Sequence, residues 1–430
     1  MRDPVRRIFL FGFIQLIFLS ACGGGGGLLD GGGGSTGGGG GSTGGGQTIA
    51  AAGPNVVAVT VDGGPAGVQA NTVFNIPYVS VTICAPGTTN CQTIDHIEVD
   101  TGSYGLRVIS SVLNSTVLAA LPVETSSVGG ALAECTQFGD GIAWGSMRTA
   151  DVEMSSEKGS SVPMQVIGDP SYPNIPADCT SHGSPEDTVA LFGANGIIGV
   201  GPFVQDCGSF CAGSTEDNLY FSCATGGTCG DVDTPVNLQA SNPVTYFTTD
   251  KNGIILEVQA VGDSGATTAS GSLVFGIDTQ SNNTSSGTSV FTTDDVGNIS
   301  ITYKGVAYTE SFLDSGSNFT FFNDGSIAVC GTAPNTYFCP SSELALSATL
   351  EGGNNVQKTV NFNVANLANF TTALTAIDNV AAPANSFSTG TGNQQSSTFD
   401  FGMPFYYGRN IYVAIDGSNT SAGVGPFFAF

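Results

Sequence analysis

From residue 55 onward, short apolar runs alternate with clusters of Gly, Asn, Asp and Pro. The runs at 56–61, 78–83, 97–99, 254–258, 273–277 and 411–415 are rich in Val, Ile, Tyr and Phe and bounded by turn residues, the pattern of antiparallel strands. Helical spacing is confined to three segments, 108–121, 342–350 and 367–377. The pattern predicts an all-β-dominated chain with a few short helices. No short-period repeat is visible, but one long-range echo is.

Ile97-Glu98-Val99-Asp100-Thr101-Gly102-Ser103 ends an apolar strand on an aspartate and follows it with small residues. Phe312-Leu313-Asp314-Ser315-Gly316-Ser317 repeats the arrangement 214 residues later. Two carboxyls brought close enough to share a proton can polarise one water between them. The glycine after each lets the backbone turn beneath the carboxyl and offer its amide. The hydroxyl directly after each aspartate is placed to cross-bond the loops, and the second hydroxyl to donate to the outer carboxyl oxygen. A third copy, Asp263-Ser264-Gly265-Ala266, follows Gly262 rather than an apolar strand and reads as a turn. As Gly-Asp-Ser-Gly it would also suit a trypsin-like nucleophile, but neither His96 nor His182 stands in the context such a serine needs.

These motifs and their neighbours, in order, make the chain resemble the pepsin-like aspartic peptidases, in a bacterial lipoprotein branch of uncharacterised function. Residues 77–108 resemble the opening of that family's first lobe. Phe138-Gly139-Asp140-Gly141, with Trp144 just beyond, resembles the flap that closes over substrate. Ile197-Ile198-Gly199-Val200-Gly201 resembles the segment beneath the first catalytic loop, and 271–278 the opening of the second lobe. Gly402-Met403-Pro404-Phe405 and 412–416 resemble the closing strands. The resemblance runs over about 56–430 and implies a bilobal double β-barrel or sandwich with a central cleft. It makes Asp100 and Asp314 catalytic, with Thr101, Gly102, Ser103, Ser315, Gly316 and Ser317 supporting them and no cofactor or metal. The chain departs from the family at Phe138, where a flap tyrosine is usual, at Arg107, where a tryptophan is common, and at Asp400, where an apolar residue is expected. Trp144, the single tryptophan, is the candidate to replace the missing flap donor.

Charge and cysteines narrow the setting. Ten Lys and Arg face thirty-five Asp and Glu, a formal net charge of −25, which repels phosphate backbones and excludes nucleic-acid partners. Such a balance suits a protein working in mild acid. Arg6-Arg7, an apolar run through Phe18 and Leu19-Ser20-Ala21-Cys22 resemble a lipoprotein leader with its lipobox, making 1–21 a signal peptide and Cys22 the lipidated residue. Seventeen of the twenty-four residues 23–46 are glycine, so 22–47 reads as a tether. The remaining ten cysteines predict disulfides: Cys84–Cys91, Cys330–Cys339, Cys135–Cys179, and Cys207, Cys211, Cys223 and Cys229 among themselves with three pairings open. Their spacing does not suit a zinc ribbon.

The expectation is a monomeric, lipid-anchored aspartic endopeptidase of the cell envelope, attached to the outer membrane and acting on polypeptides. Its lobes would run 48–243 and 244–430. The competing expectations are a catalytically silent surface lipoprotein of the same fold that binds a polypeptide or glycan, and a structural lipoprotein whose aspartates only brace the lobe interface.

Overall fold

The protein is described here by a computed structural model, covering residues 47, 49–70, 72–215, 219–224, 227–332, 335–384 and 397–430. The leader 1–21, Cys22 and the tether as far as residue 46 lie outside the described residues.

Eight strands build the first half: β1 (Val56–Val61), β2 (Pro77–Cys84), β3 (Cys91–Asp100), β4 (Tyr104–Ile109), β5 (Ala131–Gln137), β6 (Ile142–Met154), β7 (Glu157–Ile167) and β8 (Gly196–Val200). Neighbours run β2-β3-β8-β4-β7-β6, and β6 pairs back onto β2 through Thr82↔Glu153, closing a six-stranded barrel. Val81, Ile97, Val99, Leu106, Val152 and Val166 are fully buried. Each contributes roughly 1.5–3 kcal/mol of apolar burial. β9 (Tyr220–Cys223) and β10 (Cys229–Asp231) extend the sheet beyond β5.

The second half contributes β11 (Gly253–Val258), β12 (Ala269–Phe275), β13 (Val290–Thr292), β14 (Ile299–Tyr303), β15 (Val306–Leu313) and β16 (Thr320–Phe321). β11, β12 and β13 join strands Arg409–Ala414 and Phe427–Ala429 in the first sheet. A separate seven-stranded sheet runs Gln357–Val364, Leu344–Glu351, β14, β15, Asp400–Phe401, β16 and Ala381–Ala382. Aromatic rings fill its face, with Phe322 stacked on Phe399 at 5.0 Å and Phe399 against Phe401 at 4.8 Å. The all-β chain expected from the alternation is present, in the two-lobed arrangement that the resemblance implied. The lobes are not cleanly divided, because β1 pairs along its whole length with β12 and by two residues with β2.

Two of the three expected helices fail. Segment 342–350 lies mostly in the strand Leu344–Glu351, whose Leu344, Leu346, Ala348 and Leu350 recur at period two and point to one face. Segment 367–377 yields only the single 3₁₀ turn Leu367–Asn369, capped by Asn366. Of 108–121, residues 108 and 109 end β4, and the α-helix is limited to Ser115–Ala120, started by Asn114 accepting from the Val117 amide. Disulfides join Cys84–Cys91, Cys135–Cys179 and Cys330–Cys339, and the quartet resolves as Cys207–Cys211 and Cys223–Cys229.

Candidate active site

β8 lies between β3 and β4, parallel to one and antiparallel to the other, with Asp100 and Gly105 both opposite Gly199. The chain leaves β3 at Asp100, loops through 101–103 and returns on the far side of β8. In the second half, β15 pairs in parallel with Asp400–Phe401, and the Asp314 amide donates to the Phe401 carbonyl at 3.1 Å. Each aspartate therefore stands at the tip of a strand with its carboxyl turned into the junction of the halves.

The two loops grip one another symmetrically. Thr101 Oγ1 donates to the Leu313 carbonyl (3.1 Å) and accepts from the Ser315 amide (3.0 Å). Ser315 Oγ donates to the Val99 carbonyl (2.7 Å) and accepts from the Thr101 amide (3.1 Å). With its proton committed to Leu313, Thr101 Oγ1 accepts from the Tyr406 hydroxyl at 2.7 Å. The grip brings Asp100 and Asp314, both fully buried, against one another. The Gly102 amide donates to Asp100 Oδ1 (2.7 Å) and the Gly316 amide to Asp314 Oδ1 (2.8 Å).

Each glycine turns beneath its carboxyl and offers its amide as expected, but neither has a positive φ, so backbone freedom is not what requires them. They are required by crowding instead. A Cβ on Gly102 would sit 2.6 Å from Asp314 Cγ, and one on Gly316 2.7 Å from Asp100 Oδ1. Ser317 Oγ donates to Asp314 Oδ2 at 2.8 Å. Ser103 is buried beside Asp100 and favours its ionised form, but its Oγ makes no hydrogen bond of regular geometry.

Burial raises both carboxyls above the ordinary range, Asp314 further than Asp100. Their surroundings explain the difference. Hydrogen bonding with Asp314, the approach of Ser103, the Gly102 amide and then the Arg107 guanidinium favour ionised Asp100, whereas the charges of Asp100 and Asp400 oppose ionisation of Asp314. Asp400 is buried too, and burial raises it strongly although Ser317 beside it favours the ionised form. Arg107 is itself enclosed, bound to Glu134 Oε1 (2.5 Å), Asp206 Oδ2 (3.0 Å) and Thr136 Oγ1 (2.7 Å). Arg107 is therefore the hub of a buried polar network.

The flap expected at 138–141 is the turn of the β5–β6 hairpin, closed by the Phe138 amide donating to Gly141 at 2.8 Å. Two side-chain expectations fail. Phe138 packs edge-on against Phe192 at 5.7 Å in a cluster with Tyr78 and Ile197, only 6% exposed. Trp144 is buried against Phe221, and its Nε1 donates to the Tyr172 carbonyl at 2.9 Å, so it supplies no donor to the cleft. Alternation along β6 turns it to the Cys135–Cys179 side. Gly139 and Asp140 remain at the partly exposed tip.

Tyr406, Glu98 and Glu186 escaped the sequence reading. Tyr406 reaches Thr101 across 305 residues of chain, a contact with no local signal, whereas Glu98 in an otherwise apolar run was a readable anomaly. Beside the first loop, a cavity of about 570 Å³ is walled by Tyr104, Phe203, Phe210, Asp294, Asp295 and Asp416, with no Lys or Arg in its lining. Among the described residues no group of three or more His, Cys, Asp and Glu is arranged to hold a metal ion. No helix there is long and apolar enough to cross a membrane.

A family model described as "Protein of unknown function (DUF3443)" matches residues 51–430. No curated protein matches the chain. Similar solved structures include one described as a crystal structure of aspartic proteinase from Irpex lacteus. It has 15% identity and a TM-score of 0.48 over 87% of this chain and 96% of that one.

Proposed function

The chain belongs to the DUF3443 family, and we propose that it is an aspartic endopeptidase hydrolysing peptide bonds with Asp100 and Asp314. The observation that carries this reading is the reciprocal grip of Thr101 and Ser315, which holds two fully buried carboxyls together although burial and like charge oppose it. A pair sharing one proton suits water activation. Asp314, beside Asp400, keeps the proton, and Asp100, favoured as the anion by the hydrogen bonds it accepts and by Arg107, is the base. Asp100 takes a proton from the attacking water as its oxygen bonds to the peptide carbonyl carbon. Asp314 donates to the carbonyl oxygen, giving a neutral gem-diol. Collapse of that intermediate returns a proton to the leaving nitrogen.

The test is digestion of a denatured protein from about pH 3 to pH 7, with and without a transition-state-mimicking inhibitor. Asp100→Asn and Asp314→Asn should each lower the rate by about 10²–10⁴-fold, and the double variant should be little worse than either single. Equal inertness of wild type and Asp100→Asn across that range sinks the reading. It would favour the silent binder, which the inward Phe138 ring supports by leaving the flap tip without a hydroxyl. We further propose that Cys22 is lipidated and holds the protein at the cell envelope. Cys22→Ser should then move it from the membrane to the soluble fraction.

A further inference from the structure

Arg107 lies on β4, and its guanidinium is fully enclosed. Its nitrogens reach three separate elements. Nε donates to Thr136 Oγ1 (2.7 Å) on β5, two residues before the flap turn begins at Phe138. Nη1 donates to the Tyr104 carbonyl (2.7 Å), where the first catalytic loop runs into β4. Nη2 donates to Glu134 Oε1 (2.5 Å), also on β5, and to Asp206 Oδ2 (3.0 Å). Asp206, like Tyr104, belongs to the wall of the cavity of about 570 Å³.

A second tier of bonds fixes these partners. Thr136 Oγ1 donates onward to Gln165 Oε1 (3.2 Å). Gln165 Nε2 donates to the carbonyls of Glu134 (2.8 Å) and Ala143 (3.1 Å), one on each strand of the flap hairpin. Asp206 Oδ1 accepts from the Tyr220 hydroxyl (2.7 Å), which accepts from the Ala240 amide (2.8 Å). Glu134 Oε2 has no donor of its own but faces Asp206, whose carboxyl is raised by burial and by the charge of Glu134. One proton held between the two acids leaves the cluster neutral.

An enclosed arginine between two acids gains little stability, because the desolvation of its charges offsets their attraction and apolar side chains of similar volume would serve as well. What it supplies is geometry. A planar guanidinium has fixed donor directions, so each partner must keep its place relative to the others. We propose that Arg107 is a positioning residue that locks the flap stem, the exit of the first catalytic loop and the cavity wall into one unit, holding a polypeptide beneath the flap in register with Asp100. The inference rests on the peptidase reading for the reaction it serves. Arg107 is also the cation that acts on Asp100, whose other charged neighbours, Asp314, Glu98 and Asp400, are acids.

The experiment measures peptide hydrolysis by variants held well below their melting temperatures. Arg107→Lys keeps the charge but loses the planar fork. It should lower kcat by about 10²-fold, with KM little changed and the acid limb of the pH–rate profile in place. Asp206→Ala should do likewise, and the two together should be little worse than either, because the unit is already broken. Arg107→Met with Glu134→Gln removes the cation and leaves one buried carboxyl free to stay protonated. Its acid limb, which reports ionisation of Asp100, should move to higher pH. Arg148 is the control, a buried arginine bound to Asp169 (2.6 Å) and to the carbonyls of Leu118 and Leu121, none of them in the flap turn or a catalytic loop. Arg148→Lys should lower Tm without altering kcat. If Arg107→Lys does the same, losing Tm and keeping wild-type kcat, the inference is overturned. Hydrogen exchange reads the unit without activity: in Arg107→Lys, protection should fall together at 137–142 and 204–208 but not at β11 and β12. Loss at only one of the two segments also overturns it. A wild type that cleaves nothing, with the joint loss of protection, sinks the peptidase reading alone.

Discussion

At Gly102 and Gly316 a single methyl group decides whether two carboxyls can meet. Gly102→Ala would drive a Cβ into Asp314 and should reduce peptide hydrolysis by about 10²-fold or more, the cost of a small misplacement of catalytic groups. Far-ultraviolet circular dichroism should be unchanged. Asp400 invites a different measurement. Its charge raises Asp314, and removing it in Asp400→Leu should lower the pH at which the shared proton is lost. The alkaline limb of the pH–rate profile should then move downward, and a limb that stays in place would separate Asp400 from the chemistry. Phe138→Tyr should gain no activity, since its hydroxyl would be buried among Phe192 and Ile197, and should cost about 1–3 kcal/mol, read as a lowered Tm. The two aspartates were legible because their chemistry is local, a strand end followed by small residues. The directions of Phe138 and Trp144 were not, because they depend on which face of the hairpin meets the barrel.

The elements around the flap are tied by covalent and backbone bonds. Cys135 on β5 is joined to Cys179 in the short helix Ala177–Thr180, 44 residues later. Replacing both cysteines by serine removes a closed loop of that length and should lower stability by about 4 kcal/mol on the chain-entropy estimate. Denaturant unfolding checks the value, and loss of hydrogen-exchange protection at β5 and β9 would locate it. Disulfides were readable from the even count of ten cysteines after Cys22, with this pair expected as the longer bridge, and the alternating runs matched β1, β2 and β11 nearly to the residue but only the end of β3. Leu344–Glu351 was missed because Leu and Ala favour helices, whereas its pairing over eight residues with Gln357–Val364 rewards alternation.

For the whole molecule, proton binding sets the range of stability. Glu98, Asp140, Asp206, Asp314 and Asp400 are raised, chiefly by burial, with Glu186 at about 8, Glu257 at about 7 and Asp378 at about 6. Folded protein therefore holds protons that the unfolded chain has released above about pH 4, and stability falls as pH rises from there toward 8. Asp151, Asp169, Asp278 and Asp324 act oppositely: hydrogen bonds and, except at Asp278, nearby cations outweigh burial and lower them, a contribution lost as pH falls below about 4. Tm should peak between about pH 4 and pH 6 and decline at pH 8. A Tm that climbs steadily from pH 5 to pH 8 would show the buried carboxyls to be ionised and compensated.

β1 adds a matter of timing. Its partner β12 lies more than two hundred residues downstream, Val56 opposite Val274 and Val61 opposite Ala269. A ribosome adding about 5–20 residues per second emits that partner some 10–40 seconds after β1 has left the tunnel. Through that interval the uncharged hexapeptide Val-Val-Ala-Val-Thr-Val has no β12 to cover its edge, the kind of segment that pairs with copies of itself on neighbouring nascent chains. Synthesis of this protein should therefore gain from anything that keeps that one strand solitary until its mate is made.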